Sequence, residues 1–193
     1  GRFSVGPANG SRVIEIEEYG VIRGYDRNSS AWAQIDFEAS SYSFDCGGTE
    51  RLNINSSGQV TQSAQPSFAA YRNQDGYGLN NEVFPFNVTR HNTGSHFNTG
   101  NHRFTAPVAG RYLFTFYSIL NTQINSGVYS FRVNNSTSYG HNVHFTTVNS
   151  SWDHVSTSQI MNLNANDYVT LWSNSNINWH GNSWQIFCGE LLS

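Results

Sequence analysis

Residues 110–120 read GRYLFTFYSIL. Tyr112, Phe114, Phe116 and Leu120 take the even positions, and aromatic side chains at a period of two mark a β-strand with one face in a core. Leu113, Tyr117 and Ile119 make the odd face apolar too, so both faces require burial. The end of the chain repeats the pattern, with Trp184, Ile186 and Cys188 opposite Phe187, Gly189 and Leu191. In a two-sheet sandwich one face of a strand fills the core and the other meets water unless something covers it. Oligomerisation through one sheet is therefore expected, and the enrichment of interfaces in aromatics favours it over a covering loop or a folded-back N-terminal segment.

Working outward, further alternating runs are expected as strands at Ser67–Arg72, Glu82–Arg90, His102–Pro107, Gly127–Asn134, His141–Thr147, Ser156–Leu163, Asp167–Ser173 and Trp184–Leu192. Asn/Gly/Ser turns separate them at the spacing of a sandwich, and helical periodicity is nearly absent. The fold class is all-β. The polar stretch Gln59–Ser67, which contains Pro66, marks a boundary between residues 1–64 and 65–193. Residues 1–64 hold an internal repeat. Ile14, Ile16, Gly20 and Ile22 recur 38 residues later as Leu52, Ile54, Gly58 and Val60, each set reading as a tight β-hairpin. Between them Ala33, Ile35 and Phe37 alternate with Gln34, Asp36 and Glu38, as in a single amphipathic strand. Such thin hairpins bury little on their own and need neighbours, most simply other copies of the chain.

Of the 193 residues 15% are aromatic and 12% charged, where an ordinary domain carries about 25% charge. No apolar run reaches the roughly 18 residues that cross a bilayer as a helix, so no membrane insertion is expected. The ten basic residues are all Arg and the net charge is −3, which argues against a nucleic-acid partner. Without an initiator Met, the chain reads as a piece of something longer. The 24 Asn, 25 Ser and 17 Gly point to an uncharged surface rich in hydrogen-bonding groups, suited to sugars. Cys46 and Cys188 fall in different modules, where two unpaired thiols are expected and a disulfide is the alternative.

The run Phe86-x5-Asn92-x4-Phe97-x6-Phe104-x5-Gly110-x-Tyr112-x-Phe114-x-Phe116 resembles the signature of the complement C1q globular-head family at every specified position. Leu163-x3-Asp167-Tyr168-Val169 resembles a later strand of that family, with Asn166 where it has Gly. Phe187-Cys188-Gly189-Glu190-Leu191-Leu192 resembles its terminal strand. The resemblance covers residues 66–193 and implies a ten-stranded jelly roll of the C1q/tumour-necrosis-factor type, assembled as a homotrimer. Phe86, Phe97, Phe104, Gly110, Tyr112, Phe114, Phe116, Trp184, Phe187, Gly189 and Leu191 are then core or trimer-packing residues. The collagen-like stalk found before many family members is absent from residues 1–64. The segment Gly48–Val60 (GTERLNINSSGQV) instead resembles one common in tail-fibre proteins of tailed bacteriophages.

Chemistry is sparse. His141-x-x-His144 is the closest pair among seven His, but positions i and i+3 of a strand face opposite ways, so surface or interface histidines are expected. A metal on a three-fold axis would need only one His per chain, His91, His96 or His141 being the places for it. Asp153 and Asp167, which the family resemblance would allow as Ca²⁺ ligands, read as turn-capping side chains. No catalytic constellation, cofactor motif or metal site emerges. Binding is better motivated. Two segments, 149–154 (NSSWDH) and 174–184 (NSNINWHGNSW), set tryptophans among amides and hydroxyls, the composition that stacks on sugar rings. Asn178, Trp179, His180 and Asn182 form the leading receptor-binding candidate, Trp152, Asp153 and His154 the second, and Tyr139 the third.

The two resemblances imply a trimeric bacteriophage tail fibre or receptor-binding protein in the virion. A hairpin-rich shaft would join it to other virion proteins, and a C1q-like tip would attach to host glycan or lipopolysaccharide. A purely structural fibre or decoration protein is the first alternative, and a secreted ligand or lectin of the C1q type the second.

Overall fold

A computed structural model describes residues 3–5, 13–16, 22–26, 28–121, 124–148 and 152–193. The chain divides into two units, Gly1–Thr61 and Gln62–Ser193.

In the first unit, strands β1 (Phe3–Val5), β2 (Val13–Ile16), β3 (Ile22–Asp26) and β4 (Ala31–Trp32) form one antiparallel sheet in chain order. β5 (Tyr42–Cys46), β6 (Thr49–Ile54) and β7 (Val60–Thr61) form a second. The internal repeat appears as register: Ile16 pairs with Ile22, and Ile54 pairs with Val60, 38 residues on. The second hairpin closes on Asn55, whose side-chain oxygen accepts from the backbone N–H of Ser57 and Gln59, while Gly58 takes φ +77°. Gly20 of the first copy lies outside the described residues. The strand expected at residues 33–38 joins no ladder. The Ala33 N–H donates to the Gly24 carbonyl at 3.0 Å, and Phe37 stands exposed. Cross-strand pairing puts Tyr42, Phe44, Leu52, Ile54 and Val60 on one face of the second sheet, with Phe44 and Val60 more than half exposed.

The second unit is a sandwich of two antiparallel sheets. Its strands are β8 (Ser67–Tyr71), β9 (Gly76–Leu79), β10 (Glu82–Val83), β11 (Val88–Thr93), β12 (Phe97–Asn98), β13 (Arg103–Thr105), β14 (Gly110–Ile119), β15 (Ile124–Val133), β16 (Ser136–Val148), β17 (His154–Leu163), β18 (Tyr168–Ser173), β19 (Ile177–Trp179) and β20 (Gln185–Leu191). One sheet runs β11-β8-β20-β14-β17. The other runs β12-β13-β18-β15-β16 with β10 also on β18, and β9 and β19 form a separate ribbon. The strand expected over Glu82–Arg90 is broken in the middle, because Pro85 has no N–H to donate to a ladder.

Inward-facing side chains of the two sheets meet at the period of two read from residues 110–120. Tyr112, Phe114, Phe116 and Phe187 come from one sheet and Phe104, Tyr129 and Leu171 from the other, all fully buried. Phe68 stacks on Phe97 and Phe104 with ring centroids 4.7 and 5.1 Å apart. Phe86 is buried in the same cluster, and Leu191 packs on its edge. Gly189 allows this approach, since a Cβ there would sit 2.5–2.7 Å from the Phe68 and Phe114 rings. The opposite face of β14 and β20, carrying Leu113, Tyr117, Ile186 and Cys188, is only half-buried in the single chain, and Ile160 on neighbouring β17 is 52% exposed.

Candidate functional site

The two tryptophan-bearing segments diverge from the sequence reading at Trp179. It ends β19, is 3% exposed, and lies 4.6 Å from the Phe84 ring centroid. A Cβ at Gly76, on the partner strand β9, would collide with its indole. Trp179 is a core residue and not an exposed loop contact. Its Nε1 is buried without a hydrogen-bond partner among the described residues, a cost accepted for filling the space between the ribbon and the sandwich. Trp184 departs the other way: it sits in a 3₁₀ turn, Asn182–Trp184, ahead of β20, and is 45% exposed.

With Trp179 anchored, the next residue is held at the surface. The His180 N–H donates to the Ile119 carbonyl at 3.0 Å, and its imidazole Nδ1 lies 3.7 Å from Asp75 Oδ2. The ring stacks on Trp152 with centroids 4.1 Å apart and planes at 15°. Trp184 meets Trp152 edge-on at 5.5 Å and 76°. The two segments that sequence reasoning treated as separate patches are therefore one surface, an exposed pair of indoles backed by an imidazole. Asp75 secures it, its Oδ1 accepting from the Gly181 N–H at 2.7 Å. The sequence reading missed Asp75. Its signal is the Asn73-Gln74-Asp75-Gly76 turn, although nothing local tells which strand that turn meets.

The remaining candidates are more peripheral. Asn178 is half-buried, and its Oδ1 accepts from the Gly78 N–H at 2.7 Å, so its amide serves the ribbon. Asn182 is exposed at φ +58° with its N–H on the Arg72 carbonyl. The Asp153 carbonyl accepts from Leu120, and exposed His154 lies 6.1 Å from the Tyr117 ring. The side chains of Tyr139 and His141 lie outside the described residues.

Cys46 and Cys188 are free thiols. Among the described residues no three His, Cys, Asp or Glu side chains group as metal ligands. Asp167 caps its own turn: its carboxylate accepts from Asn134 Nδ2 at 2.7 Å and from the Asn164 N–H at 2.8 Å. The Asn134 hydrogen bond, followed by the Asn164 one, holds its pKa below the ordinary carboxylate value. A depressed folded-state pKa means stability that is complete above the ordinary carboxylate range and is lost as pH falls through the depressed value. Asp167→Asn should therefore lower the melting temperature at neutral pH, and the gap from wild type should close in acid, as melting curves across a pH series will read.

Three comparisons bear on this geometry. Residues 67–192 match the C1q domain family. Among solved structures, the globular domain of zebrafish complement 1qA protein superposes with a TM-score of 0.52 at 17% identity, covering 67% of this chain and 98% of that one. Murine APRIL gives 0.51 at 8% identity, covering 66% and 99%, and Eiger TNF from S. frugiperda gives 0.50 at 8%, covering 67% and 94%. A comparison with curated proteins gives no match.

Proposed function

This chain belongs to the C1q domain family through residues 67–192, and from that premise we propose that it is the trimeric, non-enzymatic tip of a tailed-bacteriophage fibre that attaches to glycan on the host cell surface. Domains of this type are commonly trimeric and are generally binding or structural modules. The trimer is supported by the half-covered outer face of the five-stranded sheet. The fibre role is supported by the hairpin repeat of the first unit and by the resemblance of residues 48–60 to tail-fibre segments. The observation that carries the binding function is the Trp152–His180–Trp184 cluster, two exposed indoles held by a buried framework. Indole faces cover the C–H surface of a sugar ring while nearby amides pair with its hydroxyls. Three weak sites per tip, multiplied by several fibres, supply avidity.

A bacterial glycan and lipopolysaccharide array tests this. Trp152→Ala is expected to reduce binding of the folded trimer tenfold or more, as loss of a central aromatic anchor does. Wild-type binding retained in the variant would remove the cluster from the site. The alternative of a purely structural fibre is favoured by the exposed apolar face of Phe44 and Val60, which self-assembly alone would use. A trimer that binds no glycan on the array supports that alternative.

A further inference from the structure

The outer face of the six-stranded sheet carries a second arrangement, apart from the aromatic cluster. Thr170 on β18 is the direct cross-strand partner of Arg103 on β13 and of Arg132 on β15. The two arginines therefore flank it on one face with Cα atoms about 10 Å apart, twice the strand spacing. Each guanidinium is held over an aromatic ring of β18, Arg103 at 4.4 Å from Tyr168 and Arg132 at 4.0 Å from Trp172. Tyr168 lies two residues before Thr170 and Trp172 two residues after it, so the two arginine side chains lean in opposite directions along β18 with Thr170 enclosed between them.

The arginines are positioned by uncharged groups. Arg132 Nη2 donates to Asn174 Oδ1 at 2.8 Å, Asn174 Nδ2 donates to Ser130 Oγ at 3.0 Å, and Ser130 Oγ donates to Asn142 Oδ1 at 2.6 Å. Arg103 Nε and Nη2 lie 3.0 and 3.3 Å from the Asn101 carboxamide, oriented to accept. Neither arginine has a carboxylate within ion-pair distance among the described residues. Arg132 is only 9% exposed, and burial lowers its pKa with no anion to offset the shift. Thr170 is 2% exposed and its Oγ1 has no hydrogen-bond partner among the described residues. Buried cations are ordinarily paired and buried hydroxyls bonded, because each left alone costs free energy. Two preorganised guanidinium groups and an orphan hydroxyl in one cross-strand row lack the same thing, an oxyanion.

We propose that this row binds the oxyanions of an acidic polysaccharide, with Arg103 and Arg132 as its cationic walls and Thr170 Oγ1 as the donor between them. Hydroxyl and carboxamide groups surround the row, as recognition of a sugar requires. Two cations in a chain of net charge −3 are too few to follow a nucleic-acid backbone. The site depends on one chain's geometry, so it stands or falls separately from the trimer and from the Trp152 cluster.

The test is a binding titration of the full chain with fluorescent oligogalacturonate, with sulfated dextran oligosaccharide and with uncharged dextran, alongside melting curves. Expected is binding of at least one acidic probe, weakened by added salt, with no binding of uncharged dextran. The preferred probe distinguishes carboxylate from sulfate. Arg103→Gln should weaken binding roughly tenfold, as loss of a charge-assisted contact does. Thr170→Val separates function from structure. It removes an unsatisfied buried hydroxyl, so the variant should melt no lower than wild type while binding more weakly. The proposal is overturned if neither acidic probe binds, if dextran binds equally well, if a single-stranded oligonucleotide binds more tightly, or if both variants bind as wild type does.

Discussion

Trp179→Ala is expected to destabilise the second unit by about 3–5 kcal/mol, the range for truncating a buried Trp. Urea unfolding at fixed protein concentration should show an earlier midpoint, the concentration being held because assembly adds to apparent stability. The size follows from the surroundings: the indole is 3% exposed, lies against Phe84, and occupies the space that glycine at position 76 leaves open. Removing the unpaired Nε1 recovers part of the cost, which argues for the lower half of the range. The same variant should weaken glycan binding only through His180, whose backbone continues β19. A Trp179→Ala chain as stable as wild type would mean that this side chain is not core.

Leu113→Asp should convert the proposed trimer to single chains, read by light scattering as a threefold fall in mass. Leu113 lies on the half-buried outer face and is directly opposite Glu190 on β20 and Ile160 on β17. A carboxylate there would be desolvated by a neighbouring subunit and would face a like charge across the strand pair. In the isolated sandwich the same substitution puts Asp on a surface still open to water, so the fold should survive while the trimer does not. Wild-type chain that is monomeric at micromolar concentration would remove the trimer reading. An Asp variant that stays trimeric would move the interface off this face.

The sandwich was legible because its signal is local and periodic. Tyr112, Phe114 and Phe116 alternate along one strand; the break that Pro85 makes within the strand expected over Glu82–Arg90 was not read, while the 38-residue repeat of the first unit returns as equivalent register in two hairpins. The binding surface was legible in composition but not in placement. Trp179 and Trp184 both stand among Asn, Ser and Gly, yet one is core and the other surface. What separates them is the pairing of β19 with β9, about a hundred residues away in the chain, and no periodicity encodes that partner.

From its amino-acid order alone this protein was determined to be all-β, with a two-sheet sandwich behind a hairpin-rich segment, since side-chain alternation and turn residues act over a few positions. Only the tertiary structure decided that Trp152 meets His180, that Asp75 holds the loop carrying His180 and Gly181, and that Thr170 lies between two arginines with no carboxylate partner among the described residues. Those meetings depend on cross-strand register and on how distant loops converge. Both are settled by packing the whole aromatic core at once, and a segment read by itself carries no record of them.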